Sequence, residues 1–345
     1  MLLLATLSTR ALACGGFFPP VTDYAVSDAQ EVIFSLGEGE VKVDYRVLVE
    51  TNATSFGWVI PIPGPFLSIE DGDGHDFTAL HEATNPLEDI EVPESGGCFG
   101  AASKGDGALG GGETGGTRDG IDIVASGYTG TYAYTVLDAT SAAALDGWLG
   151  DNGFDIGPSG PALAEFVAEG TWLFVAIRLD GELNEDKVEA PPVSIRYSGD
   201  RVQYPGRMSR YSWAEVQHTI VYVKGDERAR IAEGWLEEEL PLVWDEGESA
   251  SYLIGEAFPA ELSRIGDDVG YAVLYAGPYE DAWVTRFETY APSVIHDVDP
   301  VFAVDGGTET VHTLISNRGG CDTPEGAEAL LIPVVGLAFA LRRKR

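Results

Sequence analysis

Residues 31–49, "EVIFSLGEGEVKVDYRVLV", alternate apolar and polar side chains on both sides of a Gly-Glu-Gly break, and this pattern restricts the chain more than any other. Side chains on a strand point alternately to opposite faces. Val41, Val43, Tyr45, Val47 and Val49 therefore share one face, and Lys42, Asp44 and Arg46 share the other. The spacing predicts strands over 31–36 and 40–49 joined by a tight turn at Gly37-Glu38-Gly39. A half-buried hairpin of this kind needs a second layer to cover its apolar face.

Further strands are expected at 56–60, 132–137, 172–177, 193–197, 219–223, 271–275 and 283–287. The third strand of the chain runs into Pro61-Ile62-Pro63-Gly64-Pro65, where missing amide donors predict the end of its ladder. Ser141 to Gly150 reads as a helix with Leu145, Trp148 and Leu149 on one stripe, closed by Asn152-Gly153. A second short helix starts at Pro161 and carries Leu163, Phe166 and Val167. Trp172 to Ile177 is uniformly apolar, as in a central strand buried on both faces, and Gly199-Asp200 reads as a turn. Residues 226–240 fit either a helix or an extended segment. The expected class is α+β: antiparallel and β-rich, with a sandwich-like N-terminal sheet and a mixed sheet packed by two short helices.

The ends of the chain carry different information. An apolar stretch from Leu2 to Leu7 leads to Ala11-Leu12-Ala13, the small-x-small pattern of a signal-peptidase site, so export with cleavage after Ala13 is expected. No basic cluster precedes the stretch, which predicts a start further upstream. The same bonds also read as a lipoprotein box at Cys14, although Ala11 and Leu12 invert its preferred sizes. Residues 1–13 are thus read as a signal peptide, 14–94 as an N-terminal β-rich region, and 95–120 as a glycine-rich mobile surface loop. Residues 121–318 are read as an α+β region of the same domain and 319–345 as a tail. Its apolar run, 327–341, would span about 22 Å as a helix, short of the roughly 30 Å of a bilayer core.

Gly320-Cys321, a polar spacer, that brief apolar run and Arg342-Arg343-Lys344-Arg345 resemble the myxobacterial C-terminal sorting tail. The resemblance implies processing and lipid attachment at Cys321, display on the outer-membrane surface, and sorting and export machinery as partners. The alternative is a C-terminal anchor that is never cut, which Pro333 and Gly336 disfavour. With Cys321 in the tail, Cys14 and Cys98 remain as a pair for an oxidising compartment, read as a disulfide ahead of a metal site.

"ACGGFF" at 13–18, "FGWVIPIP" at 56–63, "YTVLDATSAAALDGWLGDNGFDI" at 134–156 and "FVAEGTWLFVAIRL" at 166–179 together resemble the bacterial domain-of-unknown-function family 2330. Membership implies an exported envelope protein and brings no activity with it. Pro19 and Pro20 stand where members often carry another cysteine, so the resemblance lends no support to the pairing of Cys14 with Cys98.

Motifs for chemistry are sparse. His81-Glu82-Ala83-Thr84-Asn85 starts like a zinc-protease helix but has Asn85 in place of the second histidine. His75 and His81, six apart, would diverge by roughly 120° on a helix. Gly105 to Gly110 matches a dinucleotide fingerprint inside the glycine-rich loop, without the strand and helix that give it meaning. No nucleophile elbow or phosphate loop appears. Asn52-Ala53-Thr54 is a glycosylation triplet set aside as chance, and His218, His296 and His312 read as ordinary hydrogen-bonded imidazoles.

Asp71, Asp73 and Asp76, on a stretch flexed by Gly72 and Gly74, form a candidate calcium loop, and calcium is the one cofactor the residues suggest. The alternative is an acidic surface turn. Trp148, Trp172 and Phe174 read as core ahead of a sugar platform.

The net charge of −35 opposes nucleic acid and anionic lipid as partners. The leading expectation is a surface-anchored envelope protein acting as a structural or interaction module. An extracellular hydrolase with a carboxylate-based site and a calcium-stabilised adhesion domain are the alternatives.

Overall fold

A computed structural model of the protein describes residues 17–18, 25–51, 55–85, 120–154, 159–180, 187–211, 215–240, 243–244, 256–312 and 316–317. After a short strand β1 (Phe17–Phe18), the alternating segment forms the hairpin β2 (Ala25–Gly37) and β3 (Glu40–Thr51). Gly37 pairs with Glu40, and Gly39 lies at φ 77°, a left-handed value that glycine adopts without Cβ strain.

β4 (Ser55–Ile62) runs through Pro61 and does not stop there. Its ladder with β8 (Leu173–Asp180) is complete from Ser55 to Ile62. On its other side it pairs only with β1, through Gly57 and Trp58. Pro61 therefore lies on an edge position among the described residues, where a missing N–H is tolerated.

β5 (Phe66–Asp71) is followed by the helix α1 (Gly74–Thr84), which the sequence reading treated as loop. β6 (Ile121–Tyr128) and β7 (Tyr132–Ala139) precede two helices, α2 (Ala142–Asp151) and α3 (Gly160–Glu169). Ser141 caps α2 by accepting from the Ala144 amide at 3.2 Å, and Gly153 leaves it at φ 81°. α3 begins with Pro161 in its first turn and ends at Gly170, φ 68°.

Together β1-β4-β8-β7-β6 make an antiparallel sheet of five strands. One face of it packs on α2 and α3 through Val59, Leu137, Phe174, Leu145, Leu149 and Phe166. β8 is central as expected, with Phe174, Val175, Ala176 and Ile177 all buried.

The larger sheet is mixed. β9 (Lys187–Ser198) pairs with both β3 and β5. Beyond the short β10 (Val202–Gln203), β11 (Val216–Gly225) lies parallel to β2, so that the N-terminal hairpin is joined to the last third of the chain. Residues 226–240 are extended: β12 (Ala229–Glu233) and β13 (Leu236–Glu239). After β14 (Val243–Trp244) and the helix α4 (Phe258–Asp267), β15 (Gly270–Tyr279) and β16 (Ala282–Pro292) form a second hairpin. The sheet order is β13-β15-β16-β11-β2-β3-β9-β5. β17 (Val301–Val304) stands between β10 and β12 in a small sheet. β18 (Val311–His312) adds to β15, and β19 (Ser316–Asn317) pairs with β14.

The two main sheets face each other over one core. Val32, Phe34, Val43, Tyr45, Val221 and Phe287 come from the large sheet, and Trp58, Ile60, Val136, Val175 and Ile177 from the small one. α2 and α3 cover the outer face of the small sheet, while α1 and α4 pack on the outer face of the large one. The architecture is thus α+β and β-rich, in four layers: helices, sheet, sheet, helices.

α4 sits so close to β16 that a Cβ on Gly266 would stand 2.1 Å from the Tyr290 carbonyl oxygen. Overpacking against backbone costs about 3 kcal/mol, and alanine returns about 1 kcal/mol in helix propensity. Gly266→Ala should therefore destabilise the protein by about 2 kcal/mol, read as a lower urea midpoint at unchanged slope. An equal or higher midpoint would show that α4 does not sit this tightly.

His296, buried between Trp235 and the 293–295 turn, hydrogen bonds through Nδ1 to the Ser293 carbonyl at 3.1 Å. Burial pushes its pKa down to about 4. An unfolded histidine titrates near about 6.5, so protons favour the unfolded state. The contribution of the neutral ring is complete above about pH 6.5 and is lost as pH falls toward about 4, roughly 3 kcal/mol in all. His296→Gln should flatten that part of the stability–pH curve, and parallel curves for the two proteins would contradict it.

Candidate functional site

Among the described residues a concavity lies on the helix-covered side of the small sheet, where β6, β7 and β8 extend past the end of α2. Short side chains make its floor: Ser126, Ala133, Thr135 and Ala176. Arg178, two residues beyond Ala176 on the same face of β8, closes one side. The volume is about 500 Å³, within the range of small-ligand sites.

The wall is built by the C-terminal turn of α2. Gly153 at φ 81° lets the chain double back, and the Phe154 amide donates to the Leu149 carbonyl at 2.8 Å. Phe154 is thereby laid over β4 at Gly57, where any Cβ would stand 2.3 Å from the ring. Only glycine lets the ring settle there. Trp148, one helical turn before Asn152, stands 6.3 Å from Phe154 between ring centroids, tilted by 31°. Tyr128, at the outer end of β6, is 74% exposed and forms the rim.

Arg178 has an unusual setting for this chain. Its guanidinium lies 5.2 Å from the centre of the Phe154 ring and donates to the Asn152 carbonyl. Among the described residues no carboxylate stands within ion-pair distance of it. Arg46, Arg196, Arg207, Arg210, Arg228, Arg230, Arg264 and Arg286 all have one, and Arg201, which donates to Gln203, shares the setting of Arg178.

A second polar constellation crosses the outer face of the large sheet. Arg286 donates to Glu288 through Nη2 at 2.5 Å and Nε at 3.1 Å, with both side chains at most 3% exposed. Glu288 also meets His218 Nε2 at 2.8 Å, and the imidazole stacks on Tyr290 at 4.1 Å. Burial alone would raise the Glu288 carboxyl, but Arg286 and His218 hold it down at about 2. Next along the row, Arg46 pairs with Glu31 and lies 4.8 Å over Phe77 of α1. A buried carboxylate that orients an imidazole resembles half of a nucleophilic triad. Among the described residues, however, no hydroxyl hydrogen bonds to His218, and a carboxyl held near 2 is not a proton donor near neutrality.

The sequence-based candidates fall as follows. Asp71 ends β5 and accepts from the Thr129 hydroxyl and, at 3.2 Å, from the Thr131 amide, so it fixes the β6–β7 turn. Asp73 is the N-cap of α1, accepting from the His75 amide at 2.8 Å, and Asp76 lies in the first helical turn, where a negative charge meets the positive end of the helix. Among the described residues no three His, Cys, Asp or Glu side chains are grouped to hold a metal ion. His81 lies on α1 with Asn85 Nδ2 2.9 Å from its Nε2. Ala13, Cys14, Cys98 and Cys321 lie outside the described residues, as do the Gly105 to Gly110 fingerprint, the Asn52 triplet and the whole tail. Among the described residues no helix is long and apolar enough to cross a membrane.

Trp172 and Phe174 are core, as expected. Trp148 is only partly buried and lines the cleft. The sequence reading missed Arg178, Asn152, Phe154 and Tyr128 as site residues. One signal was available: Arg178 interrupts the apolar run of the most buried strand.

Among solved structures, the chain is similar to baculovirus P35, at 10% identity and TM-score 0.36 over 85% of this chain and 98% of that one. It is also similar to a mutated baculovirus P35 after caspase cleavage, at 9% identity and TM-score 0.33 over 83% and 99%. No curated protein matches it. The family model described as "Uncharacterized protein conserved in bacteria (DUF2330)" matches residues 8–295, and the chain belongs to that family.

Proposed function

We propose that the chain is an exported envelope protein, anchored at the outer surface through its C-terminal segment, which works by binding a ligand and not by making or breaking bonds. The address is supported by Ala11-Leu12-Ala13 ahead of Cys14, and by Gly320-Cys321 ahead of an apolar run and four basic residues.

The binding role is carried by the composition of the cleft over β6–β8. It offers an aromatic wall, an amide, two hydroxyls and an arginine, and among the described lining residues there is no carboxylate, histidine or cysteine to move a proton or attack a substrate. A carboxylate-based hydrolase needs two acids across its cleft. The most buried described acids stand outside this cleft: Glu288 is paired with Arg286 and His218, Asp299 with Arg207 and Gln203, and Asp44, on β3 of the large sheet, with Lys42.

Protein recovered from the envelope of its native host should begin at Cys14, lack the final apolar run, carry a lipid on the Cys321 peptide and gain two hydrogens on reduction. Intact-mass and peptide mass spectrometry read all four. A full-length C-terminus would remove the processed-anchor reading, and a mass unchanged by reduction would remove the Cys14–Cys98 disulfide.

A further inference from the structure

We infer that the cleft over β6–β8 takes an acidic saccharide, with the carboxylate of a uronic-acid-type sugar on Arg178 and a ring face on Trp148; this rests on the reading of the cleft as a binding site. The argument is one of complementarity among its parts. The guanidinium is placed by the Phe154 ring 5.2 Å away and by its hydrogen bond to the Asn152 carbonyl, which leaves further N–H donors for bidentate capture of a carboxylate. A neutral sugar closing the cleft would take that cation out of water with no counter-charge.

The rest of the lining selects against a purely aromatic acid. The hydroxyls of Ser126 and Thr135 lie in the floor, and the Asn152 side chain, which donates to the Trp148 carbonyl at 2.8 Å, keeps its carbonyl oxygen as an acceptor. A flat hydrocarbon ring laid on these groups would strip them of water and offer nothing back. A sugar presents both kinds of surface, C–H groups for the indole and hydroxyls for the floor. Alanines at 133 and 176 leave room for the ligand to approach the sheet. The chain's net charge of −35 repels anions at a distance, but beyond about 8 Å that field is screened at physiological ionic strength, and the described lining itself carries only a positive charge.

The test is calorimetric titration of the full folded chain with three probes: a trigalacturonate, the neutral galactose trisaccharide and 4-hydroxybenzoate. Trigalacturonate alone should bind, and Arg178→Gln should weaken it by at least about tenfold while the melting temperature stays that of the parent. Tyr128→Ala, at an exposed rim position on which folding does not depend, should weaken it as well and guards against a misfolded Arg178 variant. Equal binding of the neutral sugar, tighter binding of the benzoate, or indifference to Arg178→Gln would overturn the ligand class and leave the cleft as a binding site. No binding of any probe would overturn the ligand class. Chain shortening of the trigalacturonate, followed by mass, would uphold the ligand class and overturn the reading of binding without bond cleavage.

Discussion

The parallel pairing of β2 with β11 is the contact on which the remainder of the molecule depends. Ala29 to Ser35 lie beside His218 to Lys224, and this register joins two parts of the large sheet that are almost two hundred residues apart. A parallel pair requires a crossover, and here the crossover contains four of the five strands of the small sheet, three helices and β9. Both strands are covered on both faces: Val32, Phe34, Val221 and Val223 look toward the small sheet, and Ile33, Ile220 and Tyr222 toward α1. A slip of one residue would exchange these sets and drive Glu31 into the apolar core between the sheets.

The ionic row on the outer face follows from that register. Glu288 lies opposite Ile220, Ile220 opposite Glu31, and Glu31 opposite Arg46, so Arg286, Glu288, Glu31 and Arg46 lie in a band across four strands under the edge of α1. Desolvating such charges costs several kcal/mol per ion, and pairing mostly offsets that cost without adding net stability. The effect is on uniqueness. In any other register of β16 against β11, Arg286 and Glu288, which share a strand, would move together and be buried with His218 no longer beside the carboxylate, a larger penalty than the loss of one apolar contact.

Local features of the chain were legible and their partners were not. The first hairpin, α2 and α3 follow from alternation, caps and a first-turn proline, all of which act within a few residues. Nothing local in β9 says that it lies between β3 and β5, because Val193, Ile195 and Tyr197 fit any apolar face of the right period. α1 was hidden by composition: Gly72, Gly74 and three aspartates suggest a turn, yet Asp73 is a cap and Asp76 a favourable charge in the first turn. α4 lacks a capping side chain, since Ala257 occupies the N-cap and Pro259 is the only start signal. In the cleft, Trp148 was read as core and Arg178 was not singled out, and their convergence depends on a third segment, Gly57, over which Phe154 lies.

The acidity of the chain bears on that convergence. With 56 acidic and 21 basic residues, carboxylates outnumber cations more than twofold, and an exposed arginine placed without constraint would be expected to find one. Surface pairs of this kind are worth little, so there is no strong cost to forming or losing them. Among the described residues Arg178 has no carboxylate partner, and its surroundings supply none. The floor around it is alanine, serine and threonine, the Phe154 ring lies 5.2 Å from its guanidinium, and its described acceptor is a neutral backbone carbonyl supplied by the end of α2. The last two depend on the Gly153 turn and on the bare backbone of Gly57, positions where a side chain would be strained or would collide with Phe154. The same two glycines that let α2 close onto the sheet therefore set which groups, the Phe154 ring and the Asn152 carbonyl, surround a positive charge in a chain that is otherwise strongly negative.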